Sequence, residues 1–248
     1  MATMTNVQPR RTPSWLPRFL LEEQIAFAAL VWAGFVAFVA IATVVASNWV
    51  HVEVSVWDQA SQAARWFALF IGVYVGSDYL QLHITHGHTR REFMRQAVVF
   101  VAIYAAGISL LVTVTFVLEA GLYVVAGWPR EVQEGQLFDS ASQLHLIFVQ
   151  SWLLVGLWTA GGLLMSIAWY RDQGLGALSI PFAVVLAGIS GIALSADWGP
   201  FGAVYERLFG EDSIGGPLAV LVHLGLIALV LGLTWLVVRD IPVRSKKA

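Results

Sequence analysis

The chain of 248 residues has no cysteine and only two lysines, Lys246 and Lys247. Without thiols, disulfides and thiolate-held metal centres are excluded. Without an internal lysine there is no Gly-rich loop ending in Lys-Ser or Lys-Thr, so the chain cannot bind ATP through a P-loop of its own. Charge of either sign is scarce: charged residues make up 12% of the chain, against roughly 25% in soluble domains. So few charges cannot cover a water-facing surface, and nothing is basic enough to point to nucleic acid.

What fills the chain instead is apolar. Hydrophobic residues reach 58% and mean hydropathy is +0.73, which marks an integral membrane protein. Six apolar runs approach or exceed the roughly 20 residues that a spanning helix needs. They are Ile25 to Ala46, Ala63 to Leu82, Ala97 to Val125, Leu144 to Tyr170, Leu178 to Leu194 and Pro217 to Val238. Each is continuous rather than alternating, so the fold class expected is all-α and polytopic, not a β-barrel. The first run follows a long polar leader and exceeds the apolar region of a secretory signal, so it reads as a retained helix.

Basic residues concentrate on the cytosolic side of membranes. With the amino terminus inside, Arg10, Arg11, Arg18, Arg90, Arg91, Arg95, Arg171, Arg239, Arg244, Lys246 and Lys247 all fall inside, leaving Arg65, Arg130 and Arg207 outside. Both termini are therefore expected in the cytosol. The organisation expected is a tail with an interfacial helix over 1–24, one six-helix transmembrane domain over 25–238 and a second tail over 239–248. Trp15 to Gln24 mixes aromatics, leucines and charge, as an amphipathic helix lying in the interface plane does. The outside segment from Ser195 to Gly216 has room for a short re-entrant helix around Ala203 to Leu208.

The densest polar cluster lies between the second and third runs, in the segment 83–96. Thr89-Arg90-Arg91-Glu92 has the form of a helix start, with Thr89 as N-cap and Glu92 at the third helical position. Arg90, Arg91 and Arg95 follow within two turns, with Phe93 and Met94 available to bury. Obedience to the positive-inside rule alone accounts for the arginines, but not for the glycine, the cap and the aromatic around them.

The string Gly87-His88-Thr89-Arg90-Arg91-Glu92-Phe93, placed after the second of six spans, resembles the permease subunits of ABC-2 type ATP-binding-cassette exporters. The resemblance covers the whole chain in layout and about seven residues in motif. It implies that a cytosolic coupling helix in this segment packs on a separate ATPase subunit. His86, Gly87, His88, Thr89, Arg90, Arg91, Glu92 and Phe93 would carry that contact, and Trp15 to Gln24 would be the connecting helix. It further implies a homodimer or a heterodimer with a second permease, multi-pass residence in the cytoplasmic membrane, and no enzyme activity or cofactor of the chain's own. The paired histidines flanking Gly87 are not part of that likeness.

Ionisable residues within spans are functional candidates because lipid makes them costly. Asp78, near the inner end of the second run, and Glu119, in the outward part of the third, are the candidates for a substrate pathway. The alternatives are a wet Glu119 at the end of its span, and an Asp78 paired with Arg90 or Arg91. Gly72 and Gly76 form a small-xxx-small pair, and Gly156, Gly161 and Gly162 in the fourth run also permit close helix approach. A competing functional reading is a membrane-embedded haem or metal protein using His145 and His223. A third is a regulatory membrane subunit that transports nothing.

Overall fold

A computed structural model describes residues 16–49, 55–129, 137–138, 140–194 and 216–241. Among these residues every regular element is helical. The helices are α1 (Arg18–Ala46), α2 (Val56–Ala60), α3 (Ala63–Tyr74), α4 (Leu80–Thr85), α5 (Arg90–Ala126), α6 (Leu144–Arg171), α7 (Gln173–Leu194) and α8 (Gly216–Arg239). A five-residue π-helical turn, Val75–Tyr79, joins α3 to α4. Six passages are long and apolar enough to cross a membrane: Arg18–Ala46, Val56–Thr85, Arg90–Ala126, Leu144–Arg171, Gln173–Ser190 and Gly216–Arg239. The chain is thus an all-α, multi-pass membrane protein.

Its spans are those marked by the apolar runs, but the helices reach further. Hydropathy marks where lipid begins, whereas capping marks where a helix ends, and the two differ by up to two turns here. The expected interfacial helix is corrected by this. The chain from Arg18 runs without a break into the first span, so the amphipathic stretch is the first turns of α1 and not a separate element. The cause is local: Leu20 to Gln24 are good helix formers with no glycine or proline among them. Leu20, Leu21 and Gln24 are buried there, and Pro17 sits just ahead of the helix at its N-cap. Trp15, Arg10 and Arg11, the region around Ala203 to Leu208, and the residues after Ile241 lie outside the described residues.

Helix α6 is the hub, packing against α3, α5, α7 and α8. Its crossing with α3 is a backbone-to-backbone contact that only glycine permits. A β-carbon on Gly72 would stand 2.1 Å from the Thr159 carbonyl oxygen, and one on Gly162 would stand 2.1 Å from the Leu69 carbonyl oxygen. A β-carbon on Gly76, in the π-turn, would fall on the Ser166 hydroxyl and stand 3.0 Å from the Leu163 carbonyl oxygen. Gly161 lines nothing, so its neighbour Gly162 alone serves the crossing. Such contacts hold helices together in lipid, where packing rather than water exclusion drives association.

The rest of the core is aromatic and aliphatic. Phe93, Phe100, Tyr104 and Phe116 run down the inner face of α5, and all are at most 2% exposed. Phe100 and Tyr104 stack with ring centroids 5.2 Å apart. Between α6 and α7 a single residue suffices: the Asp172 carboxylate accepts from the backbone N–H of Gly174 at 2.8 Å and of Leu175 at 3.2 Å, capping the start of α7. Pro181 lies inside α7.

Candidate functional site

The polar segment between the second and third spans is built from two interlocking helix caps. Helix α4 ends at Thr85 with His86 as its C-cap, and Gly87 follows with φ of +80°, the left-handed conformation that glycine adopts without strain. The Gly87 N–H then bonds the Ile84 carbonyl at 3.0 Å and the His88 N–H bonds the His83 carbonyl at 3.2 Å. These two bonds are the signature of a Schellman stop. The side-chain contact that usually accompanies it is here a stack of His83 on His88, with ring centroids 4.5 Å apart.

One residue later the next helix begins. Thr89 is extended, its hydroxyl accepts from the Glu92 N–H at 3.2 Å, and the Glu92 carboxylate accepts from the Thr89 N–H at 3.0 Å. This is the capping box read from the sequence. It starts a helix of 37 residues, so the segment holds a tight turn followed by a long rod. A separate coupling helix lying across the face of the bundle is not formed.

The expected docking residues divide accordingly. His86, Gly87, His88, Thr89 and Arg91 are exposed, and Glu92 is half-buried. Phe93 is fully buried between Tyr79 and His83, with centroids at 6.3 and 5.9 Å, so its ring belongs to this chain's own core and offers no knob to a partner. Arg90 also turns inward. Its guanidinium donates to the carbonyl of Arg239 at 3.1 Å and to that of Ile241. Arg171 reaches the same helix end, 3.4 and 3.3 Å from the carbonyls of Leu236 and Val237. The last carbonyls of a helix lack intrahelical donors and carry partial negative charge, so two arginines close the end of α8. A groove of about 430 Å³ lies alongside, lined by Ile84, His88, Thr89, Arg90, Trp235 and Arg239.

The two carboxylates picked out within spans have opposite surroundings. Asp78 lies on the π-turn and is exposed; among the described residues it forms no ion pair, and Arg90, one of its two expected partners, is engaged at α8 instead. Glu119 is 2% exposed and far from wet. The Ser55 hydroxyl lies 2.9 and 2.8 Å from its two oxygens, and the Trp57 N–H donates to it at 3.1 Å. Ser55 also caps α2 through the Asp58 N–H, while the Val56 N–H donates to the Tyr123 hydroxyl at 3.2 Å. Glu119 and Tyr123 thus hold the start of α2 against α5. Trp57 packs there on Trp32 and Phe35, and the Trp32 indole donates to Thr115 at 3.0 Å. Nothing in the sequence marks Ser55 or Tyr123 as partners of Glu119, because the return of the chain through α2 has no apolar periodicity long enough to read.

His145 and His223 share no site. His145 is exposed. His223 is fully buried, with Nδ1 2.9 Å from the Ala219 carbonyl and Nε2 2.7 Å from the Ser190 hydroxyl. A carbonyl can only accept, so Nδ1 carries the hydrogen and Nε2 takes the serine proton. Both nitrogens are engaged, and neither is left for a haem iron or a metal ion.

No protein-family model, no curated protein and no solved structure matches the chain. The class it belongs to therefore rests on the helices themselves: a six-span membrane protein with a doubly capped turn at its arginine-rich end.

Proposed function

We propose that this chain is the permease subunit of an ATP-binding-cassette exporter of the ABC-2 type, with the turn His86 to Arg91 on the cytosolic side as its contact with a separate ATPase. The observation that carries the reading is the construction of that turn. Exposed His86, His88 and Arg91 stand on a stop and a start that leave no slack. Behind them α5 runs unbroken for 37 residues, about 55 Å at 1.5 Å per residue. A push on the turn is transmitted along a rod whose far part grips α2 through Glu119.

In this mechanism ATP binding draws two ATPase subunits together. They move the turns of two permease copies, identical or different, and switch the central cavity from inward to outward access. In this reading the partner chain supplies the energy, which fits the lack of a P-loop motif in the sequence. Arg91 and Arg95 are the contact cations, while Arg90 holds α8 so that the last span moves with α5. Phe93 transmits through the core and does not touch the partner. Apolar inner faces suit a lipophilic or amphipathic cargo, and Asp78 is the polar candidate along its route, Glu119 being taken up in holding α2.

The test is affinity purification of the tagged chain from its native host in mild detergent, with co-purifying proteins identified. A stoichiometric ATP-binding-cassette ATPase is expected. Arg91→Glu combined with Arg95→Glu should uncouple ATP hydrolysis from transport while leaving insertion and orientation intact. Normal transport by that double variant, at normal expression and topology, would sink the assignment of the turn.

A further inference from the structure

We propose that His83, His88 and Glu92 form a binding site for a divalent first-row transition ion, which clamps the turn between α4 and α5. The site stands independently of the permease reading. Each of the three residues can present one ligand atom, and these atoms lie within 4.8 Å of one another. His83 is 5% exposed, and its Nε2 is buried with no hydrogen-bond partner. A buried imidazole nitrogen without a partner is rare, because desolvating it gains nothing unless something binds there. Two imidazoles and one carboxylate suit zinc, nickel, copper or iron(II) rather than calcium or magnesium, which favour oxygen-only shells.

The backbone presets the three residues. The Schellman stop at Gly87 places His88 over His83, and the capping box brings Glu92 to within 3.6 Å of His88 Nδ1. The cap contacts to the Thr89 N–H and hydroxyl fall on Glu92 Oε2, the same oxygen that approaches His88. A carboxylate has two oxygens and about four lone-pair sites, so capping and metal binding are compatible. On a tetrahedral ion with bonds of about 2.0–2.1 Å, ligand atoms sit roughly 3.3 Å apart. Reaching that spacing requires His88, which is exposed, to turn off its stack on His83, and Glu92, which is half-buried, to rotate toward the ion. His83 stays fixed by Tyr79 and Phe93, with centroids 5.6 and 5.9 Å away. Three protein ligands leave a fourth position for water. His86 stands outside the site, with Nδ1 2.7 Å from the Leu82 carbonyl.

The experiment uses the full chain in mild detergent, purified through a tag without histidine, and titrates Zn²⁺ against a chromophoric chelator. One Zn²⁺ per chain is expected. Loss of a mere supporting partner weakens metal sites by about 10–100-fold, so His88→Ala should weaken binding by at least about tenfold. Glu92→Gln should weaken it too while keeping the helix start, because glutamine serves in a capping box. His86→Ala should bind as the wild type does. No zinc above the buffer level, or equal affinity in wild type, His88→Ala and Glu92→Gln, would overturn the site and leave the histidine stack as turn packing alone.

Discussion

The Arg90 guanidinium donates to the carbonyl of Ile241, tying the first residue of α5 to the chain just beyond the last span. A second bond to the Arg239 carbonyl makes the link bidentate. Arg91, one residue on, makes no such contact among the described residues and is exposed. Two adjacent arginines thus have different tasks, one closing a helix end and one facing outward.

Arg90→Gln should therefore destabilise the protein by about 1–2 kcal/mol, the range for charge-assisted bonds that are partly solvated. Arg91→Gln should stay within about 0.5 kcal/mol of the wild type, as exposed substitutions do. Thermal unfolding of both variants in one detergent decides the matter. Equal melting of the two would show that the latch on α8 adds nothing.

Gly161 and Gly162 are expected to respond with opposite sign. A methyl group on Gly162 meets the α3 backbone at 2.1 Å, and one on Gly72 meets α6 equally closely, so the helices must part. Overpacking of this kind costs about 1–3 kcal/mol and sometimes more. Gly161→Ala meets nothing within 4 Å and should gain roughly 0.5–1 kcal/mol by restricting the unfolded chain. Destabilisation of the same size at both positions would contradict the close crossing.

The sequence was legible where the determinant is local. Six spans follow from runs of apolar residues, and the start of α5 follows from Thr89 and Glu92, three residues apart. The small pair Gly72 and Gly76 was legible as a packing face, but the phase of α6 decides that Gly162 and not Gly161 is the partner. Links between distant residues were not legible. Arg90 meets Ile241 across 151 positions, and Ser55 meets Glu119 across 64, with no local pattern to announce either. Phe93 looked free to dock because a short motif does not reveal the Tyr79 and His83 rings that close over it. The stretch before Ile25 looked like a helix of its own because amphipathic composition does not encode a break.

Glu119→Ala should loosen α2 and with it the start of the second span. The change leaves the Ser55 hydroxyl and the Trp57 N–H buried without their acceptor, and each orphaned group costs about 1–3 kcal/mol. Glu119→Gln keeps an acceptor oxygen and should cost clearly less. Amide hydrogen exchange at Trp57 and Asp58 is the specific readout, with faster exchange expected in the alanine variant. Unchanged exchange there would mean that α2 is held by its Trp57 packing alone.

Asp78 offers the cleanest separation of structure from transport. It sits on the only π-helical turn among the described residues, beside the Gly76 crossing, and holds no ion pair there. Such turns occur mostly at functional sites, and a carboxylate in a span is costly to keep. Because the exposed side chain holds no ion pair among the described residues, Asp78→Asn should insert normally and unfold within about 0.5 kcal/mol of the wild type. On the permease reading proposed above, transport should nevertheless fall, since the charge is what the span retains at a cost. Transport at the wild-type rate in a stably folded Asp78→Asn variant would remove this residue from the pathway and leave the π-turn as an accommodation of the Gly76 contact.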